Sequence, residues 1–252
     1  MQRDLKDFIS KFHFNERLKG YIGLERERFL RDERSRLLVP RSALFLQAIG
    51  DPLWTFELSA CQVEDRTKPR KTKKGILNAL KENDIAGYGV AERLRLLLCA
   101  DEVAEENMPL DIYPDSRYQS IVKSLPKNIL LAACRVTGTH IHIGAQNLEH
   151  AIEMHNNLQR HISEFCAVGD HSDGERLRLY KEMAPNWHPP HYRSVEHLFQ
   201  VAQAEKFVEN PRDCWHLVRI SIHGTVELRM FGVTENLEEV LGWISLVKKR
   251  TK

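Results

Sequence analysis

Three short segments of the sequence place ionisable side chains two residues apart within runs that read as β-strands. Successive side chains of a strand point to opposite faces, so the two members of each pair share a face while apolar neighbours occupy the other. The spacing predicts three strands that present these groups to one shared site. The pairs are Glu25 and Glu27, His140 and His142, and Glu227 and Arg229.

Two further glutamates, Glu57 and Glu64, lie among apolar and small residues. An unpaired carboxylate in such surroundings is costly, so each needs a cation or a metal as partner. Because their separation is odd, one unbroken strand would direct them to opposite faces. If both serve one site, the chain must bulge or bend between them.

Together these residues predict a divalent metal centre. Carboxylate-rich sites suit Mg²⁺ or Mn²⁺, whereas Zn²⁺ sites usually contain more His or Cys. Several clustered acids cannot all ionise without cations between them, and two or three ions that bridge nucleotide phosphates would remove the repulsion. The candidate ligands are Glu25, Glu27, Glu57, Glu64, His140 and Glu227.

Basic residues near these segments are candidates for contacts with phosphate. Arg229, with Arg176 or Arg178, could neutralise a phosphoryl group during its transfer. Residues 66–74 hold six Lys and Arg residues around Pro69. This segment has two alternative interpretations, a solvated surface loop and a mobile phosphate-binding flap. The flap residues would be Lys68, Arg70 and Lys73.

Periodicity and capping residues predict the elements that carry these groups. We expect strands at 21–30 and 129–144, strand-like sequence at 54–69, and a hairpin over 215–231 with a two-residue turn. Residues 21–30 could alternatively be a solvated edge strand. Predicted helices cover residues 4–19, 76–81, 91–106, 116–124, 148–165, 194–207 and 237–247, and another begins at 175.

Composition limits the class of protein. The 252 residues, 42% hydrophobic, can form one domain over residues 1–252, and the net charge of +2 gives no general attraction to nucleic acid. Five cysteines without a C-x-x-C pair indicate reduced thiols. With no membrane-length apolar run, we expect a soluble cytoplasmic protein that binds neither nucleic acid nor membranes.

Four motifs in order resemble the glutamate-cysteine ligases and related carboxylate-amine ligases. The motifs are residues 23–27, 57–69, 138–142 and 224–229, with residues 170–178 resembling a family loop that ends in an arginine. The resemblance implies a glutamine-synthetase-like α+β fold, in which a curved, mainly antiparallel sheet has helices on its convex face. It also implies ATP and Mg²⁺ on the concave face.

The resemblance carries family roles onto matching positions. It implies that Glu25, Glu57, Glu64, His140 and Glu227 are metal ligands, with Glu27 a further ligand, and that Arg229 contacts phosphate. The implied reaction phosphorylates an amino-acid carboxylate, often that of glutamate, before an amine attacks the acyl phosphate. The chain resembles a short member, so we expect its amino-acid and amine pockets to differ more than its metal site.

Other functions stay open from the sequence alone. One is a degenerate family member that binds nucleotide without turnover, and another is a metal-dependent hydrolase that uses His140 and His142. In a third alternative, all these motifs belong to the core or the surface and carry no function. The carboxylate and amine substrates, and whether copies form a homo-oligomer, are left open.

Overall fold

A long first strand lies inside the sheet that carries the paired ionisable residues. The computed structural model describes residues 2–251. Its strands are β1 (Ile22–Asp32), β2 (Trp54–Phe56), β3 (Gln62–Arg66), β4 (Leu96–Cys99), β5 (Thr139–Gly144), β6 (Val218–Ser221) and β7 (Thr225–Phe231). They form one seven-stranded sheet in the order β2-β3-β1-β5-β7-β6, with β4 also paired to β1. Every strand pairing in it is antiparallel.

Ten α-helices accompany the sheet in the described part of the chain. They are α1 (Gln2–Ile9), α2 (Ser42–Ile49), α3 (Lys73–Arg93), α4 (Ser116–Ser124), α5 (Lys127–Arg135), α6 (Leu148–Gln159), α7 (Ile162–Gly169), α8 (Glu175–Met183), α9 (Val195–Ala204) and α10 (Leu237–Arg250). The predicted α+β class and mainly antiparallel sheet are confirmed. None of these helices has the length and apolar character needed to cross a bilayer.

Strand β1 is a central strand, so the edge-strand alternative is wrong. One side of β1 pairs with β3, and the other pairs first with β5 and then with β4. Glu25 lies opposite His140 on β5, and Glu27 lies opposite Glu64 on β3. Pairing on both sides therefore holds the polar residues of three strands in one row.

The two faces of the sheet differ as the alternation predicts. Leu24, Ile141 and Leu228 lie on one face and are buried in a core with side chains of α6, α9 and α10. The other face carries the acids and histidines. Farther along β1 on that face, Phe29 is buried in an apolar cluster that includes Leu130 of α5. Burial of each large apolar side chain stabilises this arrangement by about 1.5–3 kcal/mol.

Arg26 and Arg28 point to the helix-covered face and are fully buried there. Arg26 Nη2 lies 2.9 Å from both Asp65 Oδ2 and Asp84 Oδ1. Arg28 Nη2 lies 2.5 Å from Asp84 Oδ1. Two cations thus face two carboxylates, and this pairing lets an alternating charged strand occupy the middle of a sheet.

The predicted long strand over 129–144 is wrong in its first half. Residues 127–135 form α5, which packs on α8, and only residues 139–144 join the sheet. Short apolar runs do not distinguish a buried strand from a buried helix, because both bury nearly every side chain. Here the helix buries Leu130 and Cys134 in the same apolar cluster as Phe29.

Several other boundaries differ from the prediction. The two helices expected at 76–81 and 91–106 are one helix, α3, followed by strand β4, which pairs with β1. The helix expected over 148–165 divides into α6 and α7, and α1 ends at Ile9. The hairpin of β6 and β7 is present, but Ser221 pairs with Thr225, which leaves a three-residue turn. The helices expected at 116–124, 194–207 and 237–247 are present as α4, α9 and α10.

Candidate metal centre

Neighbouring strands bring the predicted ligands together through their register. On β5 and β7, His142 lies opposite Glu227, and β1 places Glu25 opposite His140. Arg219 on β6 lies opposite Glu227. The row of polar side chains therefore runs across five strands on the face that the main helix layer leaves uncovered.

Glu57 reaches the row because the chain bends after β2. Strand β2 ends at Phe56, and β3 begins at Gln62. The expected bend is therefore present, and Glu64 in its protonated form donates a hydrogen bond to Glu57. Both carboxyl groups serve the same part of the site.

Three overlapping groups of side chains could each hold a cation. Within each group, one ligand atom per residue lies within 4.8 Å of the others. Glu25 and Glu64 each belong to two groups, so ions held by neighbouring groups would share ligands. The groups are Glu25, Glu64 and His140; Glu25, His142 and Glu227; and Glu27, Glu57 and Glu64.

The two histidines have different surroundings. His140 Nδ1 lies 3.3 Å from Glu25 Oε2, and His140 Nε2 lies 3.6 Å from Glu27 Oε1. His142 Nδ1 is 3.0 Å from Thr225 Oγ1. His142 Nε2 lies 3.2 Å from Glu25 Oε2 but is buried without a hydrogen bond of good geometry. A buried nitrogen in that condition fits a metal ligand.

The acids nearest β3 resist ionisation. The pKa of Glu64 lies well above its ordinary value because of burial and the negative charges of three neighbouring glutamates. Burial also raises the pKa of Glu27 and of Glu57. Burial opposes ionisation of Glu25 as well, but the charge of His142, with the charge and hydrogen bond of His140, outweighs it and holds the pKa of Glu25 low. Divalent cations would supply the positive charge that the β3 side of the row lacks.

Glu227 has its own cationic partners. Arg219 Nε lies 2.8 Å from Glu227 Oε2, and Arg229 Nη1 lies 2.6 Å from Glu227 Oε1. Burial alone would raise the pKa of Glu227, but the charges of these two arginines lower it. Glu227 is therefore ionised without a metal and holds Arg229 at the edge of the acidic row.

The two other candidate arginines lie outside this row. Arg178 is exposed, and it pairs with Glu175 at 2.6 Å and Glu182 at 3.4 Å. Arg176 is buried, and its guanidinium donates hydrogen bonds to the backbone carbonyls of residues 137, 229 and 230. Arg176 thus ties β7 to the segment before β5, whereas Arg178 stays on the surface.

The first part of the basic segment 66–74 continues the sheet, and its last two residues begin α3. Thr67 N donates to Leu24 O at 2.9 Å, and Ile22 and Arg70 exchange two backbone hydrogen bonds of 2.8 Å. Backbone pairing of this kind disagrees with the flap alternative and leaves the exposed part of the segment as surface. The side chain of Arg70 lies against the first turn of α3, where Lys73 begins the helix, and Lys68 is exposed.

A cavity of about 300 Å³ adjoins one end of the polar row. Its lining includes Glu25, His142, Arg66 and Thr67, together with small residues such as Gly23. The start of β1 and the basic segment thus border one space beside two candidate metal ligands.

Sequence reasoning missed several residues at the site. Arg219 could have been found, because β6 alternates in the predicted hairpin and its partner strand carries Glu227. Tyr118 of α4 lies near the acids, and its pKa is raised by burial and by the charges of Glu57 and Glu64. Tyr180 of α8 bonds to Arg229. No local pattern marks the two tyrosines, since both depend on how helices dock.

Comparisons with known proteins agree with the motifs. No protein-family model matches the sequence. Over 197 residues the chain is 22% identical to the "Putative glutamate-cysteine ligase 2" of Solibacter usitatus (strain Ellin6076), covering 73% of this chain and 48% of the relative. The chain therefore spans about half the length of the curated relative it matches.

The fold is similar to one in a solved structure, the crystal structure of a bifunctional glutathione synthetase from Pasteurella multocida. The TM-score is 0.61 at 15% identity, over 99% of this chain and 39% of the other. At this identity the likeness concerns the fold alone. The sequence relative agrees with the resemblance that the ordered motifs indicate.

Proposed function

We propose, from the confirmed resemblance to glutamate-cysteine ligases and related carboxylate-amine ligases, that this chain is an ATP- and Mg²⁺-dependent carboxylate-amine ligase. In this proposal the sheet and its helices act as one catalytic domain of glutamine-synthetase-like fold. The carboxylate substrate is glutamate or a similar amino acid, and Mn²⁺ can replace Mg²⁺. The product contains an amide or peptide-type bond.

One observation carries the proposal: three overlapping groups of carboxylates and imidazoles share one sheet face, with Arg229 at its edge. Such a set exceeds what one structural ion needs. Several divalent ions with oxygen ligands suit the phosphates of a nucleotide. Bound there, the ions would neutralise the charge of the phosphates and of the acids that hold them.

The residues of the chain divide the remaining tasks. Glu25 and His142 line the cavity of about 300 Å³ and share a candidate cation group with Glu227, so this is where we place the nucleotide. Arg66 lines the same cavity, and Lys68 lies between Thr67 and Pro69 on its rim, so these are the basic-segment residues that we place nearest phosphate. Arg70 and Lys73 lie at the start of α3, so we assign them a smaller part.

Arg229 carries the main electrostatic task in the reaction. A carboxylate oxygen of the amino acid attacks the terminal phosphorus of ATP, the bond to ADP breaks, and an acyl phosphate forms. The amine then attacks the acyl carbon, loses a proton and releases phosphate. A fixed guanidinium beside the transferring group stabilises its negative charge during the first step, and such contacts are worth roughly 3–4 kcal/mol.

The test begins with a thermal-shift screen of Mg·ATP against a panel of amino acids, followed by an ADP-release assay on any hit. We expect ADP formation that needs both a divalent ion and an amino-acid carboxylate. Glu227→Gln should abolish it, and Glu153→Gln, which makes the same change at an exposed position on α6, should not.

Two results would contradict the proposal in different ways. Binding of Mg·ATP without ADP release for any amino acid would indicate a nucleotide-binding protein that lacks turnover. ADP release that is equal in wild type and Glu227→Gln would show that the acidic row is not the active site.

A further inference from the structure

Arg229 is held by contacts with three different side chains. Its backbone N–H donates to Leu217 O at 2.8 Å, which fixes the chain but leaves the long side chain to be oriented separately. Its Nη1 lies 2.6 Å from Glu227 Oε1, its Nε lies 3.3 Å from the hydroxyl of Tyr180, and its guanidinium carbon lies 5.6 Å from the ring centroid of Trp215.

The hydroxyl of Tyr180 links Arg229 to the backbone, because it donates one hydrogen bond and accepts another. The hydroxyl donates to the carbonyl of Trp215 at 2.9 Å. Its single hydrogen is thereby used, so toward Arg229 Nε the oxygen can only accept. Tyr180 is 2% exposed, which fixes the ring and therefore the position of the oxygen.

The contacts of Arg229 leave part of its donor capacity free. A guanidinium carries five N–H donors. Among the described residues, the side-chain hydrogen bonds of Arg229 use Nε and Nη1, so Nη2 remains for another acceptor. Glu227 restrains one end of the guanidinium, and the second hydrogen bond, at Nε, together with the ring of Trp215, sets the plane in which Nη2 lies.

We infer that Tyr180 is a positioning residue, which fixes the guanidinium plane of Arg229 so that Nη2 is available to the terminal phosphoryl group of the nucleotide. This role rests on the proposed function, because it assumes that Arg229 meets that group. Without the hydroxyl, the guanidinium can turn about its bond to Glu227, and the contact with phosphate is lost for much of the time.

Calorimetry of Mg·ATP and Mg·ADP binding tests this role without any knowledge of the amine. A hydrogen bond to a charged group contributes about 1.5–3 kcal/mol, so Tyr180→Phe should weaken Mg·ATP binding about 10-fold or more. Mg·ADP lacks the terminal phosphoryl group, so its affinity should change by less than about two-fold. A general loosening of the fold would weaken both nucleotides alike.

The chain offers a matched control in Tyr192. This residue is also 2% exposed, and its hydroxyl lies 3.3 Å from His216 Nδ1, the same distance that separates Tyr180 from Arg229. Tyr192→Phe removes an equivalent buried hydroxyl away from Arg229. It should leave the ratio of the two nucleotide affinities as in wild type.

A double-mutant cycle with Arg229→Gln separates positioning from a direct role. Arg229→Gln alone should also weaken Mg·ATP selectively, and Tyr180→Phe in that background should add little. Equal ATP-to-ADP ratios in wild type and Tyr180→Phe, or full additivity in the cycle, would overturn the inference while leaving the proposed function intact. If wild type binds neither nucleotide, the proposed function fails and the role of Tyr180 fails with it.

Discussion

Glu64→Gln is the substitution that most directly examines the acidic row. Glu64 lies on β3, is 6% exposed and belongs to two of the three candidate cation groups. Glutamine keeps its size and its ability to hydrogen-bond with Glu57. It removes one carboxylate that two ions would share, so the substitution separates the cost of losing a metal ligand from the cost of disturbing the fold.

In the absence of metal the substitution should cost little. Burial and the charges of its neighbours raise the pKa of Glu64 well above its usual range, so the metal-free protein favours a neutral group there. An amide is such a group. We expect the free energy of unfolding in EDTA to differ from that of wild type by less than about 1 kcal/mol.

In the presence of Mg²⁺ the Tm of wild type and that of Glu64→Gln should differ. A ligand at 100 times its Kd stabilises the folded state by about 2.7 kcal/mol, which raises the Tm of a chain this size by roughly 5–11 °C. If loss of the ligand weakens the metal about 100-fold, the remaining stabilisation is only about 0.4 kcal/mol. Glu64→Gln should therefore lose most of the Mg²⁺-dependent rise in Tm.

The assay is thermal and urea unfolding of both proteins in EDTA and in a series of MgCl₂ concentrations. Glu82→Gln makes the same chemical change at an exposed position on α3 and should respond to Mg²⁺ like wild type. If Mg²⁺ raises the Tm of Glu64→Gln as much as that of wild type, Glu64 is not a ligand. If the variant loses several kcal/mol in EDTA, the acids are a structural hydrogen-bonded cluster instead.

Three further predictions concern residues around the site. Arg178→Ala removes only exposed ion pairs, so it should leave the urea-unfolding midpoint close to that of wild type and change ADP release by less than about two-fold. Arg176→Ala removes two buried hydrogen bonds and one partly buried hydrogen bond to backbone carbonyls and should cost about 3 kcal/mol or more in urea unfolding. Burial lowers the pKa of His155 to about 3, so the unfolded chain takes up its proton first as pH falls. Between pH 6.5 and about pH 4.5, wild type should lose up to about 1.4 kcal/mol per pH unit more than His155→Gln.

Each of these has a result that would contradict it. A loss of ADP release in Arg178→Ala, with stability unchanged, would return Arg178 to the active site as the family loop suggests. Arg176→Ala that unfolds like wild type would mean that water or a rearranged backbone satisfies the three carbonyls. Equal slopes of unfolding free energy against pH in wild type and His155→Gln would show that His155 is not buried in its neutral form.

The sequence by itself determined which side chains share a face. The two-residue period of a strand is a local property, so it placed Glu25 with Glu27 and His140 with His142 before any contact was known. Capping residues marked where helices begin. Asn147 and Ser194 accept hydrogen bonds from the first turns of α6 and α9, as their types predict.

Only the tertiary structure decided which of these groups meet. The pairing of Glu25 with His140 joins residues more than a hundred positions apart, and the bend that brings Glu57 to Glu64 depends on how β2 and β3 pair. The choice between helix and strand for residues 127–135 came from packing on α8. Arg176, Arg178 and Tyr180 lie on one short helix, yet of the three only Tyr180 bonds to the guanidinium of Arg229, whereas Arg176 bonds to its backbone carbonyl. Register, bends and docking follow from the free energy of the whole core, which no local pattern encodes.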